Sequence, residues 1–269
     1  MSTHVATYRP PSSVTMGELF PNHDGLRPVS VPDLRGRDVV FWVDGGPRIT
    51  ARFGETEVRW RAEPAPDALP SAGTAAYEAV PVRDGILAVI VDHAPTRTSA
   101  LVVVDEAHRR ALAVVTRMLD GERAGEVVED TRIFSAGVDE PLGRPFAPTH
   151  ELVGRRVHWR YSDTHSFEHI YLSDRLYCWH GLEGPEADMG GVEPTSARAI
   201  ADDLVLFTWS DTSVPFNGAI VIDFAAQGFP TPVHSTGRLV GWDDERAAPW
   251  HIVVGAHGTL VNETSFHGL

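Results

Sequence analysis

Residues 169–191, HIYLSDRLYCWHGLEGPEADMGG, gather side chains suited to moving protons. An imidazole titrates near neutral pH, and a phenol can donate to a developing oxyanion. A carboxyl pressed against aromatic rings has its pKa raised toward neutrality. His169, Tyr171 and Tyr177 supply the first two groups, and Glu183, Glu186 and Asp188 follow in a Gly/Pro-containing loop. By strand alternation Phe167, His169 and Tyr171 share one face; after a turn at Ser173 and Asp174, Arg175, Tyr177 and Trp179 share another. Paired as a hairpin, these runs would converge on one lumen. Glu183 or His169 is expected to move the proton, and Tyr171 or Tyr177 to hold an oxyanion. Glu183 is preferred among the acids because it follows the aromatic strand most closely and lies between Gly181 and Gly184.

Trp159, Tyr161, Trp179, Phe207 and Trp209 are the expected walls of a ligand pocket, with His180 and Arg175 as polar contacts. The bland alternative for each ring is a packed barrel core. Arg160 and Arg175 could anchor a carboxylate, and exposed ion pairing is the default for both. His165, Glu168 and His169 form an H-x-x-E-H run, but on a strand positions 165 and 169 stand about 13 Å apart, too far to share a metal. No metal site is assigned. Ser166 lacks the G-x-S-x-G elbow of a nucleophile, and Cys178 has no evident base.

These residues need a scaffold, and the pattern of the chain is β. Short runs rich in Val, Ile, aromatics and Arg alternate with turn signals such as DGG, FGE and RDG. No helical period persists beyond about ten residues. The 269 residues favour one large domain or two of ordinary size. A duplication favours two. LRGRDVV at 34–40 matches LVGRRVH at 152–158, DGILAVIVD at 84–92 matches DDLVLFTWS at 202–210, and ALVVVD at 100–105 matches AIVID at 219–223. Gly36 and Gly154, Asp84 and Asp202, and Asp105 and Asp223 each stand 118 residues apart. Seven to nine strands per half suit closed antiparallel barrels, which leave no exposed edge. The expected order is an N-terminal arm (1–27), a first barrel (28–136), a Gly/Pro-rich linker (137–150) and a second barrel (151–269).

The halves differ at matched positions on one strand face. Leu87, Val89 and Val91 correspond to Val205, Phe207 and Trp209, and nine of the 13 histidines lie at position 150 or later. The second half is therefore assigned the chemistry and the first the scaffold.

Bulk composition narrows the function. A net charge of −14 without a basic cluster argues against nucleic acid and against a polybasic membrane contact. The chain has no apolar run of membrane-spanning length and no signal-peptide pattern, so a cytoplasmic protein is expected. All 23 Lys and Arg residues are Arg, which removes Schiff-base and P-loop chemistry, and no G-x-G-x-x-G is present. No cofactor is called for.

The run YLSDRLYCWHGLEGPEADMGG, with DDLVLFTW and AIVID downstream, resembles the MoaF family. The likeness extends from about residue 10 to the C-terminus, and L-E-G-x-E-x-D is its most specific part. It implies an all-β protein of two tandem lipocalin-like (calycin) barrels, an architecture related to phenolic acid decarboxylases and other small-molecule barrels. Some MoaF-like chains carry a second Cys near position 181. Gly181 and Val192 stand here, so a thiolate metal site loses support.

The leading expectation is a cofactor-independent enzyme of a biosynthetic pathway. It would bind an apolar or aromatic metabolite in the second barrel and catalyse isomerisation, hydration or dehydration, cyclisation or decarboxylation. The alternative is a non-catalytic metabolite-binding or accessory protein of a cofactor- or monoamine-related operon. A third reading is a structural partner that docks through its first barrel, and a homo-oligomer is compatible with all three.

Overall fold

Each half contributes eight strands whose inward residues alternate with outward ones, and each set closes on itself. The computed structural model describes residues 25–66, 70–226, 233–244 and 246–264, so most of the expected N-terminal arm lies outside the described residues. The first half holds β1 (Asp38–Val43), β2 (Arg48–Phe53), β3 (Glu57–Glu63), β4 (Ala72–Arg83), β5 (Ile86–His93), β6 (Thr98–Asp105), β7 (Arg110–Asp120) and β8 (Val127–Val138). The second holds β9 (Arg155–Ser162), β10 (His165–Tyr171), β11 (Leu176–Glu183), β12 (Gly190–Ala201), β13 (Leu204–Ser210), β14 (Phe216–Asp223), β15 (Val233–Asp243) and β16 (Ala248–Glu263). Sequential strands pair antiparallel throughout. β1 closes on β8 with Phe41 opposite Val138, and β9 closes on β16 with Trp159 opposite Gly258. No helix among the described residues is long and apolar enough to cross a membrane.

The repeated L-x-G-R signal has a physical role. Gly36 and Gly154 both adopt positive φ, a conformation that costs glycine little. Their N–H groups donate to Phe53 O and Tyr171 O, positions that themselves stand 118 apart. The preceding Leu34 and Leu152 are thereby driven into their barrels, where both are buried. Each signal plugs one end of a barrel.

The two barrels pack side by side. Val80, Ala88, Ile90, Leu101, Val103, Leu112 and Val114 of the first form one cluster with Ile200, Leu204, Leu206, Ala219, Val221 and Val253 of the second. This explains why several strands are apolar on both faces. Phe146, in the segment expected to be a linker, is buried in the same cluster. Polar bonds cross the interface too. Arg83 grips Asp223 at 2.6 Å, and Arg110 donates to Ile200 O at 2.7 Å. Arg238 is wholly buried there. It donates to Thr116 Oγ1 at 2.7 Å and Asn217 Oδ1 at 2.8 Å, and burial pulls its pKa down to about 9.

Close backbone approaches fix where large rings can lie. Trp209 stands opposite Gly218, where a Cβ would fall 2.2 Å from the indole ring. Gly218→Ala should therefore cost about 1–3 kcal/mol, because the ring must leave a packed interior. The denaturation midpoint will fall accordingly; an unchanged midpoint would show that the ring has room to move.

Candidate functional site

The β10–β11 hairpin pairs His169 with Trp179 and Tyr171 with Tyr177, which brings the residues of the opening run together on one inner face. Trp159, Tyr161, Phe167, Phe207 and Trp209 join them, and Trp179 packs against the group from a partly buried position. The rings fill the interior. His169 has Tyr177, Trp209, Tyr171, Trp159 and Phe207 around it at centroid separations of 5.0–6.3 Å. Tyr177, Phe207 and Trp209 contact one another at 5.1–5.7 Å.

Burial governs the chemistry of this group. The His169 side chain is buried among rings, desolvation pushes its pKa down to about 3, and its Nδ1 has no hydrogen-bond partner. The phenols of Tyr161, Tyr171 and Tyr177 are all pushed up by the same desolvation. The Trp159 indole N–H lies beside the Tyr171 hydroxyl without reaching hydrogen-bonding geometry. The imidazole and the three phenols are thereby held neutral inside the ring cluster.

The remaining predicted residues do not join them. Glu183 is exposed and accepts a hydrogen bond from Ser166 Oγ at 3.2 Å. Arg175 is exposed at the hairpin turn, and His180, next to inward-facing Trp179 on β11, belongs to its outer face. Among the described residues no three His, Cys, Asp or Glu side chains come together as a metal would require.

The acid that the structure buries is Glu186. Only 7% exposed, it is pushed up to about 8, first by desolvation and then by the charge of Asp211. Its loop folds flat over β11, so that a Cβ at Gly181 would fall 1.9 Å from Glu186 O. Glu193 lies at the same end of the barrel. It accepts from Thr212 N at 2.8 Å and faces Trp179 Nε1 at 3.5 Å. The glycine at 181 is the one sequence signal for this arrangement, since it lets the acidic loop close down.

Among the described residues, a large open space lies in the first barrel, where the sequence led us to expect scaffold. A cavity of about 540 Å³ runs down its lumen, within the range of small-molecule sites. Its walls include Ile49, Ala51, Val58, Val89, Val91 and Thr98. At an offset of 118 the second barrel has Phe167, His169, Phe207, Trp209 and Phe216 at five of these positions. Tyr177 takes the sixth, Val58, after a turn one residue longer. The physical reason for the reversal is volume: six small inward residues leave a lumen that six ring-bearing residues close. The rim of the cavity carries Trp60, His93, Thr96 and Arg132. Small inward residues on matched strands were the available signal, and the accumulation of rings pointed the other way.

Two up-and-down eight-stranded barrels in tandem define a tandem lipocalin-like class of protein. Sequence models of the MoaF family match both halves, the MoaF N-terminal domain over residues 12–120 and the MoaF C-terminal domain over residues 146–264. The chain belongs to the MoaF family. It is 27% identical over 258 residues to Protein MoaF of Klebsiella aerogenes, covering 91% of this chain and 92% of that one. A solved chain from Burkholderia vietnamiensis, described as a candidate beta-lactamase, aligns over 42% of this chain and all of its own. Its identity is 15% and its TM-score 0.33, too low to carry an argument.

Proposed function

We propose that the protein binds one molecule of a largely apolar metabolite in the lumen of its N-terminal barrel, as a non-catalytic carrier or accessory protein. The observation that carries this reading is the cavity of about 540 Å³, lined by small residues where the second barrel has rings. Burying an apolar ligand in such a chamber is favoured by about 25 cal/mol per Å² of apolar surface removed from water. The reading is preferred to acid–base catalysis in the second barrel for two reasons. His169, Tyr171 and Tyr177 are walled in by rings, and Glu183 stands in solvent.

A second reading has one observation in its favour. Glu186 is held near a pKa of about 8 beside Glu193 and Asp211, and so could serve as a proton donor at the end of the second barrel.

Titration with N-phenylnaphthylamine, an apolar fluorophore, tests the first reading. Saturable enhancement with one site per chain is expected, together with competition by apolar metabolites extracted from the source cells. Absence of a saturable signal would sink it.

A further inference from the structure

We propose that the ligand carries a neutral hydrogen-bond-donating head, an aryl hydroxyl or its equivalent, which donates to Nε2 of His93 at the rim of the first barrel. The inference rests on the reading of that lumen as a ligand chamber and names the head group it selects.

Three short contacts run along the rim. His93 Nδ1 lies 2.6 Å from Thr96 Oγ1, Thr96 Oγ1 lies 2.9 Å from Thr98 Oγ1, and the Thr98 hydroxyl reaches Thr96 O at 3.1 Å. The participating donors are also three: one imidazole N–H and two hydroxyls. If Thr98 donates to the carbonyl, Thr96 must donate to Thr98, and the imidazole must donate from Nδ1 to Thr96. With the proton on Nε2 instead, the two hydroxyls would have to make all three contacts. The chain is fully satisfied only with Nδ1 protonated, which leaves Nε2 as the ring's free acceptor. The edge of Trp60 packs on the imidazole at 5.0 Å, and Trp60 is itself held by a bond from its indole N–H to Pro70 O. Gly73 gives the indole its place, since a Cβ there would fall 2.4 Å from the ring. His93 is thus an acceptor fixed in both tautomer and orientation.

The rest of the lining excludes charged heads. Among the described residues it contains no carboxylate, so a cationic amine would find no counter-ion among them and would face Arg132. Arg132 is the one Arg or Lys side chain among the described residues of the lining, half exposed and engaged with Asp130 through Nε and Nη2 at 3.2–3.3 Å. The chain as a whole carries a net charge of −14 and repels anions. A neutral donor matches the acceptor that remains.

Three ligands of one shape test the assignment: para-phenylphenol, its methyl ether and para-phenylbenzoate, titrated calorimetrically against the whole chain. The phenol should bind about tenfold tighter than the ether, the worth of one satisfied hydrogen bond. His93→Phe should erase that preference, read as the ratio of the phenol's affinity to the ether's in the same variant. Thr96→Val should reduce the phenol's advantage alone, because the tautomer is then free. The ring-nitrogen shifts of His93 should report Nδ1–H in the free protein. Equal binding of phenol and ether, a preference that survives His93→Phe, or Nε2–H in the spectrum would overturn the head-group assignment while leaving the chamber standing. Tightest binding of the benzoate would assign the head to Arg132 instead. Failure of all three ligands, with no fluorophore binding either, would overturn the chamber and this inference with it.

Discussion

Transplanting the second barrel's rings into the first, as Val89→Phe, Val91→Trp and Ala100→Gly together, should abolish ligand binding while the protein remains folded. Val89 and Val91 line the cavity, and their counterparts are Phe207 and Trp209. Ala100 stands opposite Val91 as Gly218 stands opposite Trp209, so the third change clears the place that the indole needs. The added rings occupy space that was empty, and the usual overpacking cost of about 1–3 kcal/mol is offset by new apolar contact. Stability should therefore change by less than about 2 kcal/mol, while affinity for the apolar fluorophore falls at least about a hundredfold. Calorimetry and fluorescence on one preparation separate these effects. Binding that persists in a folded triple variant would place the ligand elsewhere. The reverse change in the second barrel, Trp209→Ala, should cost roughly 3–5 kcal/mol, because there the ring is part of a filled core.

Stability should fall as pH rises above about 6.5, and Glu186→Gln should remove much of that fall. His169 is pushed down to about 3, and His234 and His251 to about 4. Between those values and the ordinary 6.5 the unfolded chain binds protons that the folded chain refuses, so stability rises with pH over that span. Glu186 works in the opposite sense. Raised from 4.5 to about 8, it holds a proton in the folded state that the unfolded chain has already lost, so stability falls as pH rises from 4.5 to 8. Asp92, Glu129 and Glu193 are raised by desolvation in the same sense as Glu186, so above about 6.5, where these histidines no longer contribute, stability falls as pH rises. Gln imitates the protonated acid. The variant should match the wild type near pH 4 and exceed it at pH 9 by roughly 3–5 kcal/mol. Urea midpoints at the two pH values measure this. An equal gain at both would mean that Glu186 is ionised in the fold throughout, contrary to its burial.

Much of the fold is legible in the sequence because strand periodicity and duplication are local signals. The 118-residue offset, the repeated L-x-G-R signal and the alternation that puts His169 with Tyr171, and Tyr177 with Trp179, on shared faces all follow from residue order. The MoaF resemblance rests on the same residues. Glu186 was less legible: it stands three residues from Glu183 in one loop, yet one acid is buried and the other exposed. That difference depends on the loop closing over Gly181 and meeting the charge of Asp211, which comes from the turn between β13 and β14.

By itself the sequence determined that two units of seven to nine strands would form and which side chains share a strand face, because a period of two depends only on neighbouring residues. Only the tertiary structure decided which lumen is open. Whether a barrel is empty depends on the summed volume of inward residues from eight strands brought together across its axis, and no single strand carries that sum. Read one strand at a time, Phe207 and Trp209 look like the walls of a pocket. Assembled, they are what fills it, and Val89 and Val91 stand around the space that remains.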